Sequence, residues 1–322
     1  HIAQEEQAAQ HPTAPALPER PPFSVGDTVY LENGKPFIIE DIGLFNVRMS
    51  DPSLYYPIDR AESIESFNRL LARYPQPAKT QPEPENFRIT NEHLGEGGQK
   101  AKYALNVAAI RTLNAVETEN RTATPDEQEI LSRYVGWGGL PQVFDPDNAA
   151  WSTEYAELKE LLTDKEYDMA RASTLNAHYT SPVVIKAMYE AIENMGFTTG
   201  NVLEPAMGVG NFFGLLPESM AASKLYGVEL DSITGRIATL LYPKANITVS
   251  GFETTDRKDF FDLAVGNVPF GSYKVADRAF DKYNFFIHDY FFAKTIDQVH
   301  PGGVIAFITS KGTLDKQNPE VR

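Results

Sequence analysis

Residues 261–271 read FDLAVGNVPFG, a run of apolar and small side chains that breaks off into an asparagine, a valine, a proline and an aromatic between two glycines. The run has the look of a short core strand, and Pro269 cannot donate to a ladder, so the chain must leave the sheet about there. A polar amide, Asn267, is thereby set at a strand's carboxyl end. Taken alone, the tetrapeptide Asn267, Val268, Pro269, Phe270 is a strand-to-loop turn in which the asparagine caps and the phenylalanine packs. Its surroundings change that reading.

On both sides strand and helix signals alternate. SPVVIKAMYEAIENMGF (181–197) is helical in period, NVLEPA (201–206) is a strand, and NFFGLLPESM (211–220) starts a helix. KLYGVEL (224–230), ITGRIATLLYP (233–243) and ANITVSG (245–251) follow as strand, helix and strand. Beyond Asn267, FFIHDYFFAKTIDQV (285–299) is a helix, apolar on nearly every side and so a core element before it is a stacking surface, and GGVIAFITS (302–310) is a strand. Such alternation predicts an α/β domain over 176–322 with a doubly wound, mostly parallel sheet, whose ligands bind beyond the carboxyl ends of the strands. Asn267 lies at one such end.

Other regions precede this domain. Residues 1–22, rich in Gln, Ala and Pro, read as a flexible tail. Alternating apolar positions over 23–72, with turns at Asn33-Gly34 and Ile42-Gly43, read as a small antiparallel barrel or meander running into the helical SIESFNRLLARY (63–74). A Pro-rich linker over 73–86 leads to a helical region, 87–175, whose first helix carries Ala104, Val107, Ala108, Ile110 and Leu113 on one face. Within it GEGGQK (95–100) lacks both the spacing of a phosphate loop and a preceding strand, and reads as a plain loop. Trp137 in YVGWGGLPQVF (134–144) reads as a packing residue, with base stacking as the rival.

Composition narrows the function. Lys and Arg number 29 against 44 Asp and Glu, a formal charge of -15, so the surface is not basic throughout, and any nucleic-acid site must be a local patch or lie partly on another chain. Without cysteine there is no disulfide and no thiolate zinc site, and the six histidines have no metal-ligand spacing; no metal is expected. No apolar run approaches the ~20 residues of a membrane span, and HIAQEEQAAQ at the amino terminus is no signal peptide, so a soluble cytoplasmic protein is expected. A start without Met and an end at NPEVR suggest a piece of something longer.

The strand ends carry the chemistry. VLEPAMGVGNFF (202–213) offers Gly208 and Gly210 for a tight turn and close backbone approach, then a helix start whose free N–H groups suit an anion. Its G-x-G-x-x-x-G is one residue out of register for a dinucleotide turn. Glu204, just before the turn, would repel phosphate and welcome an ammonium, so a ligand bearing both a carboxylate and an amine, such as the methionine part of S-adenosylmethionine, suits the mixture. GVELD ends the second strand with Glu229 and Asp231; an acid there accepts from ribose hydroxyls in cofactor folds of either kind, or is a solvated acid at a helix start. Phe252, in GFE after the third strand, could stack on an adenine. Tyr179 and Thr180 of NAHYTSP precede the first helix of the domain, Thr180 being equally a helix cap.

Taken in order, HYTSP, VLEPAMGVGNF, GVELD, GFE and GNVPFG resemble the amino-methyltransferases that act on adenine in DNA, of the type whose cofactor motifs precede the catalytic tetrapeptide. More closely, YVGWGGLPQVF, AHYTSP, LEPAMGVGNFFGLLP, GVELDSITGRIA, GNVPFG, IHDYFFAK and PGGVIAFITSKGTLDK look like the methyltransferase-like region of very large proteins of conjugative elements and phages. Those proteins join this region to a Swi/Snf-type helicase and include antirestriction factors. The resemblance covers about residues 87–322. It implies a Rossmann-like methyltransferase fold lacking its final strands, S-adenosylmethionine as cofactor, and DNA and the attached helicase region as partners. Tyr179 and Thr180 would close over the cofactor, Glu204, Pro205, Gly208 and Gly210 would hold its methionine part, Glu229 its ribose and Phe252 its adenine. Gly251 stands where many relatives carry an acid for the adenine amine, and Val268 where they usually carry proline.

In that family Asn267, Val268, Pro269 and Phe270 would be the catalytic tetrapeptide, the asparagine oxygen and the Val268 carbonyl accepting the two N–H groups of an extruded adenine and Phe270 stacking on it. Pro269 biases Val268 toward an extended backbone. Lys274, Arg278 and Lys282, in SYKVADRAFDKYN, would form a mobile loop over the target strand, or a solvated face, since Asp277 and Asp281 alternate with them. Against the enzyme stands a module that keeps the fold and serves as a DNA-binding scaffold for the helicase; methylation of RNA or of a protein glutamine are further alternatives.

Overall fold

The computed structural model describes residues 23–31, 34–44, 46–51, 60–74, 84–91, 95–174 and 180–313. By contacts the chain divides into two compact units that part before Pro84. In the first, β1 (Thr28–Leu31), β2 (Lys35–Ile42), β3 (Asn46–Ser50) and β4 (Arg60–Ser63) form an antiparallel meander in that order, followed by α1 (Ile64–Arg73). Its inward positions, Val29, Leu31, Ile39, Val47 and Met49, close over Ile64 and Phe67 of the helix. The side chain of Ser63 caps α1, accepting from the Ser66 amide at 3.2 Å.

The second unit begins with helices: α2 (Gln99–Thr118), α3 (Pro125–Leu131), α4 (Ser152–Leu161) and α5 (Asp164–Ser173). Threonines start two of them, Thr124 and Thr163 each in a capping box with a glutamate three residues on. Then α6 (Pro182–Asn194), β5 (Asn201–Glu204), the single turn α7 (Asn211–Gly214), β6 (Lys224–Glu229), α8 (Ser232–Leu241), β7 (Asn246–Val249), β8 (Phe261–Asn267), α9 (Ile287–Gln298) and β9 (Val299–Ile308) alternate as expected. The five strands are parallel in the order β7-β6-β5-β8-β9. The order reverses between β5 and β8, which sets a crevice beyond their carboxyl ends.

Both faces of the inner strands are covered, which is why β5 and β8 are buried at successive positions rather than at every second one, while β7 at one edge is largely exposed. Val202, Leu225, Leu263 and Val265 join one core, while Leu203, Val228 and Ala264 join the other, against Phe252 and α9. The helical stretch 87–175 shares the first of these cores with α6, α7 and α8. Arg236 of α8 fastens it further, with a two-pronged pair to Glu117 of α2 (2.8 and 2.5 Å) and a third bond to Glu166 of α5 at 2.6 Å. Trp137 is in this core, 1% exposed and edge-on to Phe144 at 5.5 Å, so it packs and does not offer a ring to a base.

The Gly-rich stretch around Trp137 is held by a buried asparagine. Asn106 of α2 donates to the Gly136 carbonyl at 2.5 Å and accepts from the Val135 amide at 2.9 Å. Removing that side chain strands a donor and an acceptor inside the protein, each worth about 1–3 kcal/mol when unpaired. Asn106→Leu is expected to lower the unfolding free energy by about 2–4 kcal/mol in urea denaturation, whereas a change below about 0.5 kcal/mol would mean that the turn holds itself.

Candidate functional site

The carboxyl ends of β5, β6 and β8, with the turns that follow them, border one cleft of about 610 Å3. That is room for a ligand of nucleoside size and a second group beside it. Thr180, Glu204, Pro205, Gly208, Glu229, Phe252 and all four residues of the tetrapeptide, Asn267, Val268, Pro269 and Phe270, line it. Tyr179 lies outside the described residues. The cap of α6 is Ser181, not Thr180, which faces the cleft.

The turn after β5 is drawn across to β6 by its backbone. Met207 N–H donates to the Val228 carbonyl at 3.0 Å, and Gly210 N–H back to the Met207 carbonyl at 2.8 Å. Gly208 N–H then meets the Glu229 carboxylate at 2.8 Å, and the other oxygen of that carboxylate accepts from the Asp231 amide, also at 2.8 Å. The acid that starts α8 is Asp231, which accepts from the Thr234 amide and hydroxyl at 2.8 and 2.7 Å. Glu229 is thus a strut between two strand ends and is no solvated helix acid. Its side chain borders the cleft; burial within the fold, with Asp231 nearby, pushes the carboxyl up to about 7 against the pull of the Asp231, Gly208 and Leu230 backbone donors.

Gly210 does not line the cleft. Its φ is +84°, and a Cβ there would come within 2.5 Å of the Tyr242 ring, so its bareness serves packing on the far side of the turn. The helix that follows, α7, is one turn of four residues, so its dipole adds little to what its N–H groups offer an anion.

Glu204 is 2% exposed, and its Oε2 has no hydrogen-bond partner among the described residues although it lies on the cleft wall. Burial, and then the charge of Glu229, hold its carboxyl well above the usual range. Behind it is Gly266, whose φ of +150° is a backbone conformation that favours glycine; a Cβ there would meet Glu204 Cγ in ordinary contact at 3.5 Å, so it is the backbone path to Asn267, and not crowding by the acid, that calls for glycine. Asn267 ends β8 in register with Ile308 of β9. The next residue continues that contact: Val268 is 1% exposed and its N–H donates to the Ile308 carbonyl at 3.1 Å, a bond that proline could not make. Phe270 stands at the mouth, 44% exposed.

Across the cleft Phe252 is buried and stacked on Phe291 of α9 at 5.0 Å. The Glu253 carboxylate folds back over Gly251 and fills the space that a side chain at 251 would take. The lining includes residues to which sequence reasoning assigned no role: Tyr134, Met169 and Ser173 from the helical stretch, and Asn211. Lys274, Arg278 and Lys282 are exposed on the segment that follows the tetrapeptide and do not line the cleft. Among the described residues no cluster of acids and histidines could hold a metal, and no helix is long and apolar enough to cross a membrane.

No family model matches the chain. It is 26% identical over 230 residues to the "Defense against restriction protein B" of Escherichia phage P1, a match that takes in 70% of this chain and 9% of that protein. The chain therefore spans under a tenth of the length of that relative. Among solved structures it is similar to one from Listeria monocytogenes described as a class I S-adenosylmethionine-dependent methyltransferase, at 14% identity and a TM-score of 0.37, over 68% of this chain and 76% of that one. A second, from Vibrio vulnificus, is described as a modification subunit of a type I restriction enzyme, at 19% identity and a TM-score of 0.37, over 53% of this chain and 42% of that one.

The two raised carboxyls make stability depend on pH. Each holds its proton more firmly folded than unfolded, so each favours the folded state below the unfolded value near 4.5 and loses that contribution as pH rises through the folded value. Without ligand, stability is expected to fall by about 1–3 kcal/mol between pH 5 and 8 from these sites, and Glu204→Gln to flatten that slope. His300, raised by the Pro301 carbonyl and by Asp262 at 2.8 Å, slopes the same way, so the comparison is made in a His300→Gln background. An unchanged slope in the Glu204 variant would show that its carboxyl is ionised in the empty cleft.

Proposed function

We propose that the α/β unit is a methyltransferase that carries a methyl group from S-adenosylmethionine to the exocyclic amine of adenine in DNA, as one region of a longer protein with an attached helicase. The observation that carries the proposal is the sharing of one cleft by an unpartnered buried acid, Glu204, a ribose-type acid, Glu229, and the amide of Asn267. A positively charged amine suits Glu204 Oε2, which no group of the described protein satisfies. Glu229 retains lone pairs for two hydroxyl donors beyond its backbone bonds. Phe252 is placed to face an adenine ring, and Glu253 offers the acceptor that Gly251 lacks.

When bound, the cofactor supplies an electrophilic methyl group on a sulfonium. The remaining work belongs to the chain. An adenine amine is a poor nucleophile because its lone pair is delocalised into the ring; acceptors for both its N–H groups, the Asn267 oxygen and the Val268 carbonyl, draw it toward a tetrahedral, attacking form. No strong base is needed. Phe270 stacks on the extruded base and keeps the amine in line. The Val268 amide, tied to β9, holds the tetrapeptide in place during this, so the departure from proline exchanges ring rigidity for a hydrogen bond.

Calorimetry should detect S-adenosylmethionine binding with release of a proton near neutral pH, because an ammonium beside Glu204 pulls its pKa down; Glu204→Gln should remove that release. In a tritium-methyl transfer assay on unmethylated DNA, Asn267→Ala should lower transfer by about 100-fold or more with cofactor affinity kept. Cofactor binding with no transfer by the unaltered chain would instead mark a DNA-binding scaffold for the helicase.

A further inference from the structure

The segment from the tetrapeptide to α9 is pinned by hydrogen bonds and is not an evenly solvated face. Asp277, one of the two acids that alternate with its cations, is buried, where it accepts from Lys294 Nζ at 2.7 Å and from the Tyr290 hydroxyl at 2.8 Å, both on α9. Lys294 also donates to the Glu253 carbonyl at 3.0 Å, so one ammonium fastens the segment to the turn that borders the cleft. The hydrogen bonds of this buried pair stand in for water, and the ammonium lies 5.5, 5.9 and 5.9 Å from the ring centres of Phe252, Phe280 and Tyr290. Asp281 turns inward to accept from the Asp277 amide at 2.9 Å, and Ile287 N–H donates to the Tyr273 carbonyl at 2.9 Å, closing the base of the loop.

What this pinned loop presents outward is unlike the rest of the unit. Among the described residues from 84 on, every exposed aromatic falls within it: Phe270, Tyr273, Tyr283 and Phe286, at 44, 42, 50 and 38%. Cations are interleaved with them. Lys282 Nζ lies 4.7 Å over the Tyr283 ring, Lys274 Nζ lies 5.9 Å from the Phe286 ring and bonds Asn284, and Arg278 is exposed. Tyr283 is itself stacked on Phe285 at 5.2 Å with planes 11° apart, which stiffens it as a platform.

We propose that the loop 270–286 is a binding surface for single-stranded DNA, on which bases flanking the target stack while Lys274, Arg278 and Lys282 follow the phosphates; this deepens, and rests on, the reading of the cleft as an adenine methyltransferase. A duplex hides its base faces, and three cations on a chain of net charge -15 are too few for the six to ten phosphate contacts of strong duplex binding. Aromatic faces bind an unpaired strand without that charge. The adenine then reaches the cleft with no pair to break, which removes the few kcal/mol that extrusion from a duplex costs.

The test is fluorescence anisotropy of the whole chain with a labelled 12-nucleotide DNA strand, the duplex and the RNA of the same sequence, across 50–300 mM salt, with methyl transfer measured on each in parallel. Expected are binding of the DNA strand at least tenfold tighter than of the duplex, and a log–log salt slope no steeper than about -2 for three cations at about 0.7 each. Tyr283→Ala and Phe286→Ala should each weaken binding by about 5- to 100-fold, with circular dichroism and S-adenosylmethionine affinity unchanged. Lys282→Gln should flatten the slope by about 0.7. Equal or tighter duplex binding, inert aromatic variants, or no binding at all, as when another part of the longer protein covers this loop, overturns the platform. Equal or tighter binding of the RNA overturns the choice of DNA. Strand binding that follows the aromatics with no transfer to any adenine overturns the catalytic reading and leaves the platform standing; duplex methylated as well as single strand does the reverse.

Discussion

The cleft depends on the carboxylate of Glu229. One oxygen takes the Gly208 amide from the turn after the first strand of the parallel sheet, and the other takes the Asp231 amide at the head of the next helix, each at 2.8 Å. The turn at Gly208 and the helix start at Asp231 are thereby held at a fixed separation, and they border the cleft on which Glu204, Phe252 and Asn267 converge. A side chain so placed is a joint that keeps lone pairs for a ligand, since a carboxylate has more of them than its backbone donors use. The cost is a carboxyl pushed up to about 7 by burial, beside a second acid, Glu204, that has no partner among the described residues. Two neighbouring buried acids lower stability unless something positive joins them, and a site that is unstable empty gains most from being filled.

Sheet topology supplies the rest. Because both faces of the inner strands β5 and β8 are buried, their side chains are taken up by packing, and the polar groups of the site lie at the strand ends. At the point where the strand order reverses, β5 and β8 diverge in their onward connections and leave a slot. Gly266, at φ +150°, lets β8 take the backbone path that delivers Asn267, and Val268, bonded to Ile308, carries the edge of the sheet one residue beyond the asparagine. Lys294 extends the same logic on the far side, where one buried ammonium joins the turn at Glu253 to the loop that follows the tetrapeptide.

Much of this was legible from residue order alone. The strands β5 to β9 stood out because apolar runs of four to seven residues bounded by Gly and Pro have few other uses, and the acids and glycines at their ends could be placed in the crevice by the rule for parallel sheets. Side-chain direction was not legible. Gly208 and Gly210 look alike in GVG, yet one donates to Glu229 and the other makes room for Tyr242, which is 32 residues away. The share of Tyr134, Met169 and Ser173 in the cleft could not be read, because docking of the helical stretch onto the sheet depends on long-range contacts such as Arg236 with Glu117 and Glu166. Asp277 misled for a similar reason: alternation with lysine and arginine is the pattern of a solvated face, and its true partner is a lone lysine on a helix that looks wholly apolar.

The central claim is that one slot at the strand ends holds the cofactor against the amide of Asn267. A crystal structure of the chain with S-adenosylhomocysteine tests it most directly. The amino group of the ligand should lie within hydrogen-bond distance of Glu204, its ribose on Glu229 and its sulfur facing Asn267. Ligand density anywhere else on the sheet, or a ligand in this slot with Asn267 turned away from the sulfur, would contradict it.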